Sequence, residues 1–313
     1  MGVIEKFRKA VNNMAMERVQ KIDIHVHTIL ERRVPKLTGD HYTLPEELMI
    51  FYRMLGVEKG VILPGAAPEH MTESRPSWEA QQIAEKYPQS FYWFCNLDPR
   101  MGNNSPDTDF SHFLNYYKGL GAKGVGELTS NLYFDDPMVL NLFKHCEACD
   151  MPVTFHIGFK GNDYGLIDEL GLPRLEKVLK MFPKLTFLAH SQKFWSEIGG
   201  DVTEETRNGY PAGKVAPGGR VIELMRKYPN LCGDLSAGSG YNAVSRDPEF
   251  GYAFMEEFQD RLFYGTDICS AENITNNMLK LSAFLDEAME TGKISYAAYK
   301  KISRENALKL LEK

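Results

Sequence analysis

The chain has 313 residues, of which 43% are hydrophobic and 25% charged, with a formal net charge of −6; that composition is globular. The acidic balance argues against a general binder of nucleic acid or anionic membrane, because phosphate contacts need clustered Lys and Arg. No apolar run is long enough to span a bilayer, and five scattered cysteines do not suggest a disulfide framework.

"MGVIEKFRKAVNNMAMERVQ" at the N-terminus lacks an apolar core followed by a small-residue cleavage site. It reads as an amphipathic helical extension over 1–19, not a signal peptide, so a cytoplasmic location is expected. From residue 20 a pattern recurs: short apolar strand, polar or Gly/Pro loop, amphipathic helix. The strands read as "KIDIHV", "GVIL", "FYWFCN", "AKGVGEL", "PVTFHI", "LTFLAH", "LCGDLS" and "RLFYGT". Helices are expected over 44–55, 77–87, 109–119, 136–150, 171–182, 218–229, 247–259 and 273–290. A closing helix is expected near 295–311. Pro in "YPQS" and "FPK" ends two helices before the next strand. Eight strands alternating with helices imply parallel pairing. An α/β fold, a single domain over 1–313 with a (β/α)8 TIM barrel and closing helix over 20–313, is expected, with a doubly wound open sheet as the alternative.

In "KIDIHVH", strand alternation puts Asp23, His25 and His27 on one face and Ile22, Ile24 and Val26 on the other. In a closed barrel the apolar set would pack outward on helices and the polar set would point inward. His25 and His27 end the first strand, Glu127 the fourth, His156 the fifth and His190 the sixth, while Asp267 follows the eighth. All C-terminal strand ends of a parallel barrel lie at one rim, where such folds carry their sites. A single histidine here would pass for a hydrogen-bonded core residue; the set does not. Imidazole nitrogens and carboxylates suit a divalent ion, zinc first, with iron, manganese or nickel as alternatives. His25, His27, His156 and Asp267 would hold it and leave a position for water. Asp267 could accept that water's proton, and His190 could steer the hydroxide or protonate the leaving group.

At these residues the chain resembles the amidohydrolase superfamily of metal-dependent barrels. It is most similar to the amidohydrolase-related branch that includes aminocarboxymuconate semialdehyde decarboxylase. "DIHVH", "FHIG", "LAHS", "GDLSAGSG", "FYGTD" and "ENALKLL" follow that family's pattern in order, over roughly 20–311. The resemblance implies His25, His27, His156 and Asp267 as ligands, with His190 beside the metal-bound water. Glu127 in "GVGEL" resembles the glutamate that bridges two ions in some superfamily branches. One ion is expected. With a second, Glu127 and His190 would become ligands. "HSQ" at 190–192 departs from the His-Gly of the decarboxylase branch.

The loops after the first three strands carry Arg32, Arg33, Arg75 and Arg100, which would suit a carboxylate-bearing substrate. The long 191–219 connection is expected to form a lid or an oligomer contact, with Trp195 either covering the site or packing. "HCEAC" falls late in a helical run, so Cys146 and Cys149 read as ordinary helix residues. Asp23 and Asp234 are expected to hydrogen-bond ligand histidines. The expected activity is attack of metal-bound hydroxide on an amide, ester or lactone carbonyl of a small metabolite. The alternative is decarboxylation, a C–C lyase reaction on the same metal. Neither nucleic acid nor membrane is an expected partner, and such barrels suggest a homodimer.

Overall fold

The computed structural model describes residues 17–70, 75–161 and 163–312. Most of the expected N-terminal helix, residues 1–16, lies outside them. Among the described residues nine parallel strands are formed: β1 Lys21–Val26, β2 Val57–Ile62, β3 Phe91–Trp93, β4 Val125–Leu128, β5 Val153–Gly158, β6 Leu166–Ile167, β7 Phe187–His190, β8 Leu231–Asp234 and β9 Leu262–Phe263. β1-β2-β3 form one run and β4-β5-β7-β8-β9 another, with the two-residue β6 pairing only β5. Bridges Cys95↔Val125 and Val26↔Ile268 join the two runs at both seams. Eight of the strands therefore close into a TIM barrel, and the open-sheet alternative is excluded.

Helices α1 Pro45–Leu55, α2 Ser77–Lys86, α3 Phe110–Gly119, α4 Pro137–Ala148 and α5 Pro173–Met181 alternate with the strands as expected. Two further helices, α6 Gln192–Ser196 and α7 Arg220–Lys227, follow β7. Next come α8 Ala237–Ser245, α9 Pro248–Glu257, α10 Lys280–Glu290, α11 Tyr296–Lys300 and α12 Asn306–Leu311. The short α6 and α8 were not expected. The expected closing helix is interrupted by a wider π turn over Lys301–Glu305. Among the described residues no helix is long and apolar enough to cross a membrane.

The barrel interior holds Ile22, Ile24, Val61, Leu63, Phe94, Leu188, Cys232 and Phe263, plugged by Ala307, Leu310 and Leu311 of α12. This corrects the face expected for β1. Ile22 and Ile24 point inward. The Asp23 carboxylate instead accepts from Tyr52 Oη of α1 at 3.1 Å and from Thr266 Oγ1 at 2.6 Å. The cause is an irregular register: Asp23 pairs Gly60 while Val26 pairs Ile62, so β1 spends one more residue than β2. Such a bulge reverses the alternation beyond it. Val26 then joins the outer core beside Leu48 and Phe51 of α1, and His25 and His27 turn in. β4 repeats the device: Val125 pairs Val153 and Leu128 pairs Phe155, leaving Gly126 and Glu127 opposite Thr154 alone.

The long connection after β7 is folded on itself by a buried ion pair, whose partners also bond the segment after β6. Arg207 Nε lies 2.7 Å from Glu197 Oε1, both side chains 1% exposed. Arg207 Nη1 donates to the Asp168 carbonyl at 2.7 Å, and Glu197 Oε2 accepts from Gly171 N at 2.8 Å. Burial pushes the Glu197 carboxyl up to about 7, against the pull of Arg207. Trp195 is buried and donates its indole N–H to the Asp234 carbonyl at 2.9 Å, so it packs under the rim and covers nothing. The variant Arg207→Met, which strands Glu197 without a counter-charge, is expected to cost about 3 kcal/mol in urea unfolding. A loss below about 0.5 kcal/mol would show that the pair anchors nothing.

Candidate metal centre

Six donors meet at the C-terminal rim. His25 Nε2 lies 3.2 Å from His27 Nε2. Asp267 Oδ1 is 3.6 Å from the first and 3.3 Å from the second. Glu127 Oε2 faces the same pair at 3.7 and 3.6 Å. The other oxygen of Glu127 is 2.9 Å from His156 Nδ1 and 3.9 Å from His190 Nε2. Asp267 Oδ2 stands 3.8 Å from His190 Nε2. All but Asp267 are nearly inaccessible; its side chain keeps 24% exposure and gives the cluster its edge on solvent.

Each ring is held from behind. His25 Nδ1 pairs with Asp234 Oδ2 at 2.6 Å and His27 Nδ1 with the Leu63 carbonyl at 2.8 Å. His190 Nδ1 meets Ser236 Oγ at 2.9 Å. With a proton on the Nδ1 of His25 and of His190, their Nε2 atoms present lone pairs to two carboxylates; His27 Nδ1 faces both the Leu63 carbonyl and the Arg75 guanidinium. Asn96 Nδ2 donates to the Glu127 carbonyl at 2.7 Å and to that of Pro64 at 2.7 Å, fixing the bulge of β4. Asp267 sits in left-handed backbone, φ +59°, and its N–H bonds the His25 carbonyl at 2.8 Å.

Charge follows this geometry. Burial alone would raise the Glu127 carboxyl, but hydrogen bonds from His156 and His25 hold it well below the usual carboxylate range. Burial likewise opposes ionisation of Asp267, yet the charge of His25 and a hydrogen bond from His27 bring it down to about 2. Burial, then the neighbouring His25, lowers His190 to about 4. Burial and the Arg75 charge lower His27. For His25, burial is outweighed by Asp234, and it rises well above its ordinary value. Two ionised carboxylates and the neutral imidazoles of His27 and His190 are ligand forms of these side chains, and a cation at the centre would displace the proton that His25 gains beside Asp234.

The donor set fits divalent cations. Atoms about 2.0–2.2 Å from a common ion stand about 3.0–3.5 Å apart, which the His25, His27, Asp267 and Glu127 atoms approach. Among the described residues, groups able to hold an ion are His25–His27–Glu127, His25–His190–Asp267 and Glu127–His156–His190. His156 thus groups with Glu127 and His190, not with His25 and His27 as the sequence implied, because its Nδ1 faces the far oxygen of Glu127. The expected second role of Asp234 is met. Asp23 reaches only the backbone N–H of His25, not a ring.

The four loop arginines separate. Arg75 is 3% exposed, its Nη1 2.6 Å from His27 Nδ1 and 3.2 Å from the Leu63 carbonyl, and its guanidinium lies 4.2 Å from the Tyr42 ring centroid. Its Nε is buried without a partner, and among the described residues no carboxylate pairs with it. Arg100 is committed elsewhere: it forks onto Asp98 and onto Glu69 at 2.7–2.8 Å, which corrects its expected substrate role. Arg32 is exposed and pairs with Glu47, and Arg33 is exposed. His145 of "HCEAC", on α4, pairs through Nδ1 with Ser111 Oγ of α3 at 2.7 Å. Sequence reasoning missed Ser236, Asn96 and Tyr42. The first two act through hydrogen bonds that no spacing announces.

No family model matches the chain, and no curated protein matches it. Solved structures do. An uncharacterised TIM-barrel protein from Bordetella bronchiseptica aligns with 93% of this chain and 98% of its own, at TM-score 0.61 and 18% identity. An amidohydrolase from Burkholderia multivorans, with bound HEPES, aligns with 94% of this chain and 99% of its own, at TM-score 0.60 and 13% identity. The chain shares the TIM-barrel fold of these proteins. A dihydroxybenzoic acid decarboxylase from Polaromonas, with bound manganese and 2-nitroresorcinol, also matches, covering 94% of this chain and 97% of its own at TM-score 0.57 and 16% identity. Hydrolase and decarboxylase thus share this barrel.

Because Asp234 sets the His25 tautomer, Asp234→Asn is expected to weaken Zn²⁺ binding about 10- to 100-fold in a chelator-competition titration.

Proposed function

We propose that the chain is a metal-dependent hydrolase acting on an amide, ester or lactone carbonyl of a small, carboxylate-bearing metabolite. One observation carries this reading: Glu127 turns one oxygen to His25 and His27 and the other to His156 and His190. A carboxylate shared between two donor groups suits two cations, with His25, His27 and Asp267 on one side and His156 and His190 on the other. With one cation, His25, His27, Asp267 and Glu127 would hold it, and His190 would be free to protonate the leaving group. Zinc suits these donors best, and the manganese-bound neighbour keeps manganese as the competitor.

Divalent cations held here supply Lewis acidity, polarising a carbonyl and making water acidic enough to attack near neutral pH. The chain does the rest. Asp267, ionised and at the solvent edge, accepts the attacking water's proton at Oδ2. In the one-cation arrangement His190 Nε2, 3.8 Å away, is the group that would pass it to the leaving atom; as a ligand of a second cation it would not carry the proton. Arg75 supplies a fixed positive charge beside the centre. A cation this buried, without a carboxylate partner among the described residues, is suited to an anionic substrate group.

Arg75 also favours the second reading, decarboxylation, in which it would hold a carboxylate near the same metal. Product analysis separates them. Hydrolysis places one ¹⁸O from labelled water in the product, whereas decarboxylation releases carbon dioxide without it. We expect ¹⁸O incorporation, abolished by chelation and restored by Zn²⁺ or Mn²⁺; full activity in metal-stripped protein would end both readings. Elemental analysis is expected to give two ions per chain, falling to one in Glu127→Gln. Arg75→Met is expected to raise KM at least 10-fold for a carboxylate-bearing substrate, with the metal content unchanged.

A further inference from the structure

One face of α8 lines a cleft of about 310 Å³, a volume suited to one small ring. Gly238, Tyr241, Asn242 and Ser245 recur there at helical spacing. Tyr210 of the long connection and Asn276–Asn277, before α10, close it. Two short stretches of chain place the cleft beside the metal centre. Gln192, whose Nε2 donates to Tyr210 Oη at 3.3 Å, is two residues from His190. Gly238 is two residues from Ser236, which bonds His190 Nδ1. Two residues of chain reach at most about 7 Å. The cleft therefore flanks the centre on its His190 side, and none of the six donors lines it.

The lining is uncharged, and its larger side chains are held from behind. The Tyr210 ring lies against Gly238, where a Cβ would stand 3.1 Å from its Cε1, so the ring rests directly on the helix backbone. Tyr241 meets the Phe284 ring edge-on, with centroids 6.1 Å apart at 84°. Asn242 Nδ2 donates to the Pro211 carbonyl at 3.1 Å, which leaves its Oδ1 to accept. Asn276 Oδ1 accepts from Met278 N at 3.0 Å, which leaves its Nδ2 to donate. Ser245 and Asn277 complete the wall, and among the described residues no Asp, Glu, Lys, Arg or His borders it.

We propose that this cleft binds an uncharged, hydroxyl-rich ring, a sugar or a cyclic polyol, beside the metal centre. A charged ligand would find no counter-charge here. A hydroxyl both donates and accepts, which matches an amide oxygen and an amide N–H offered by two different segments. The C–H face of such a ring is apolar, and a tyrosine ring packs on it while the tyrosine hydroxyl stays wet. Each anchoring contact orders a lining side chain before the ligand arrives, which lowers the cost of binding. The site needs neither a cation nor a reaction at the centre, so it goes beyond the hydrolytic reading and stands or falls apart from it.

The full chain, labelled with ¹⁵N, is titrated with methyl α-D-glucopyranoside, methyl α-D-mannopyranoside, methyl β-D-galactopyranoside and myo-inositol. Uracil serves as the planar control, and binding is followed by the asparagine side-chain amide signals. At least one of the four is expected to bind with a Kd below about 10 mM and to shift the Asn242 and Asn276 amides. The affinity should be the same after chelation of metal. Tyr210→Ala, at a ring 55% exposed, should keep the melting temperature of the parent and weaken binding about 10-fold. Ser245→Phe, which fills the cleft from α8, should weaken it in the same direction. A parent that binds none of the four below about 50 mM overturns the site, and so does equal affinity in Tyr210→Ala. Uracil bound in place of the four overturns the class of ligand. Binding lost on chelation belongs to the metal centre and overturns the site while leaving the hydrolytic reading intact.

Discussion

Lone pairs and negative charges do not gather in a buried space unless something positive compensates them. At the rim of this barrel, three imidazole Nε2 atoms each come within 4 Å of the same two carboxylates, and the scaffold spends hydrogen bonds to keep them there. Asp234, the Leu63 carbonyl and Ser236 each occupy the rear nitrogen of one ring. Without those partners the imidazoles could rotate and relieve the crowding. With them, the crowding is permanent and a cation is its natural complement.

The means of aiming these groups is backbone register. A regular strand presents every second residue inward, and β1 begins that way with Ile22 and Ile24. One extra residue then shifts the count, so that His25 and His27 point in and Val26 points out. The same shift in β4 delivers Glu127. Bulges of this kind interrupt pairing and are tolerated where the strand end has a task other than sheet cohesion. Below them the barrel is apolar and closed by α12; above them it is polar. The boundary between scaffold and chemistry falls within a single strand turn.

Much of this was legible in the sequence. The eight-fold strand–helix alternation, and the histidines and acids at strand ends, need only periodicity and the common rim of a parallel barrel. "HVH", "FHIG" and "LAHS" carry their imidazoles in or just past a strand, and "YGTD" carries its carboxylate four residues beyond β9. What stayed hidden is non-local. A bulge leaves no mark in "KIDIHVH", so Asp23 was assigned to the wrong face. Arg100 resembled a substrate arginine until Glu69, from the preceding loop, was seen to claim it. The grouping of His156 with Glu127 depends on which ring nitrogen faces which oxygen, a torsion that residue spacing does not encode. Helices as short as α6 fall below any hydrophobic period.

The contact between Tyr52 and Asp23 crosses from the outer layer into the sheet over Gly60, where a Cβ would lie 1.7 Å from the phenolic oxygen. Asp23 in turn accepts the backbone N–H of His25 at 3.1 Å. A methyl group added at position 60, far from any reacting atom, would evict the tyrosine and loosen the carboxylate that braces the histidine backbone. The helical shell is in this way mechanically geared to the aim of the ligands, and drift on the outside of the cylinder is answered within it.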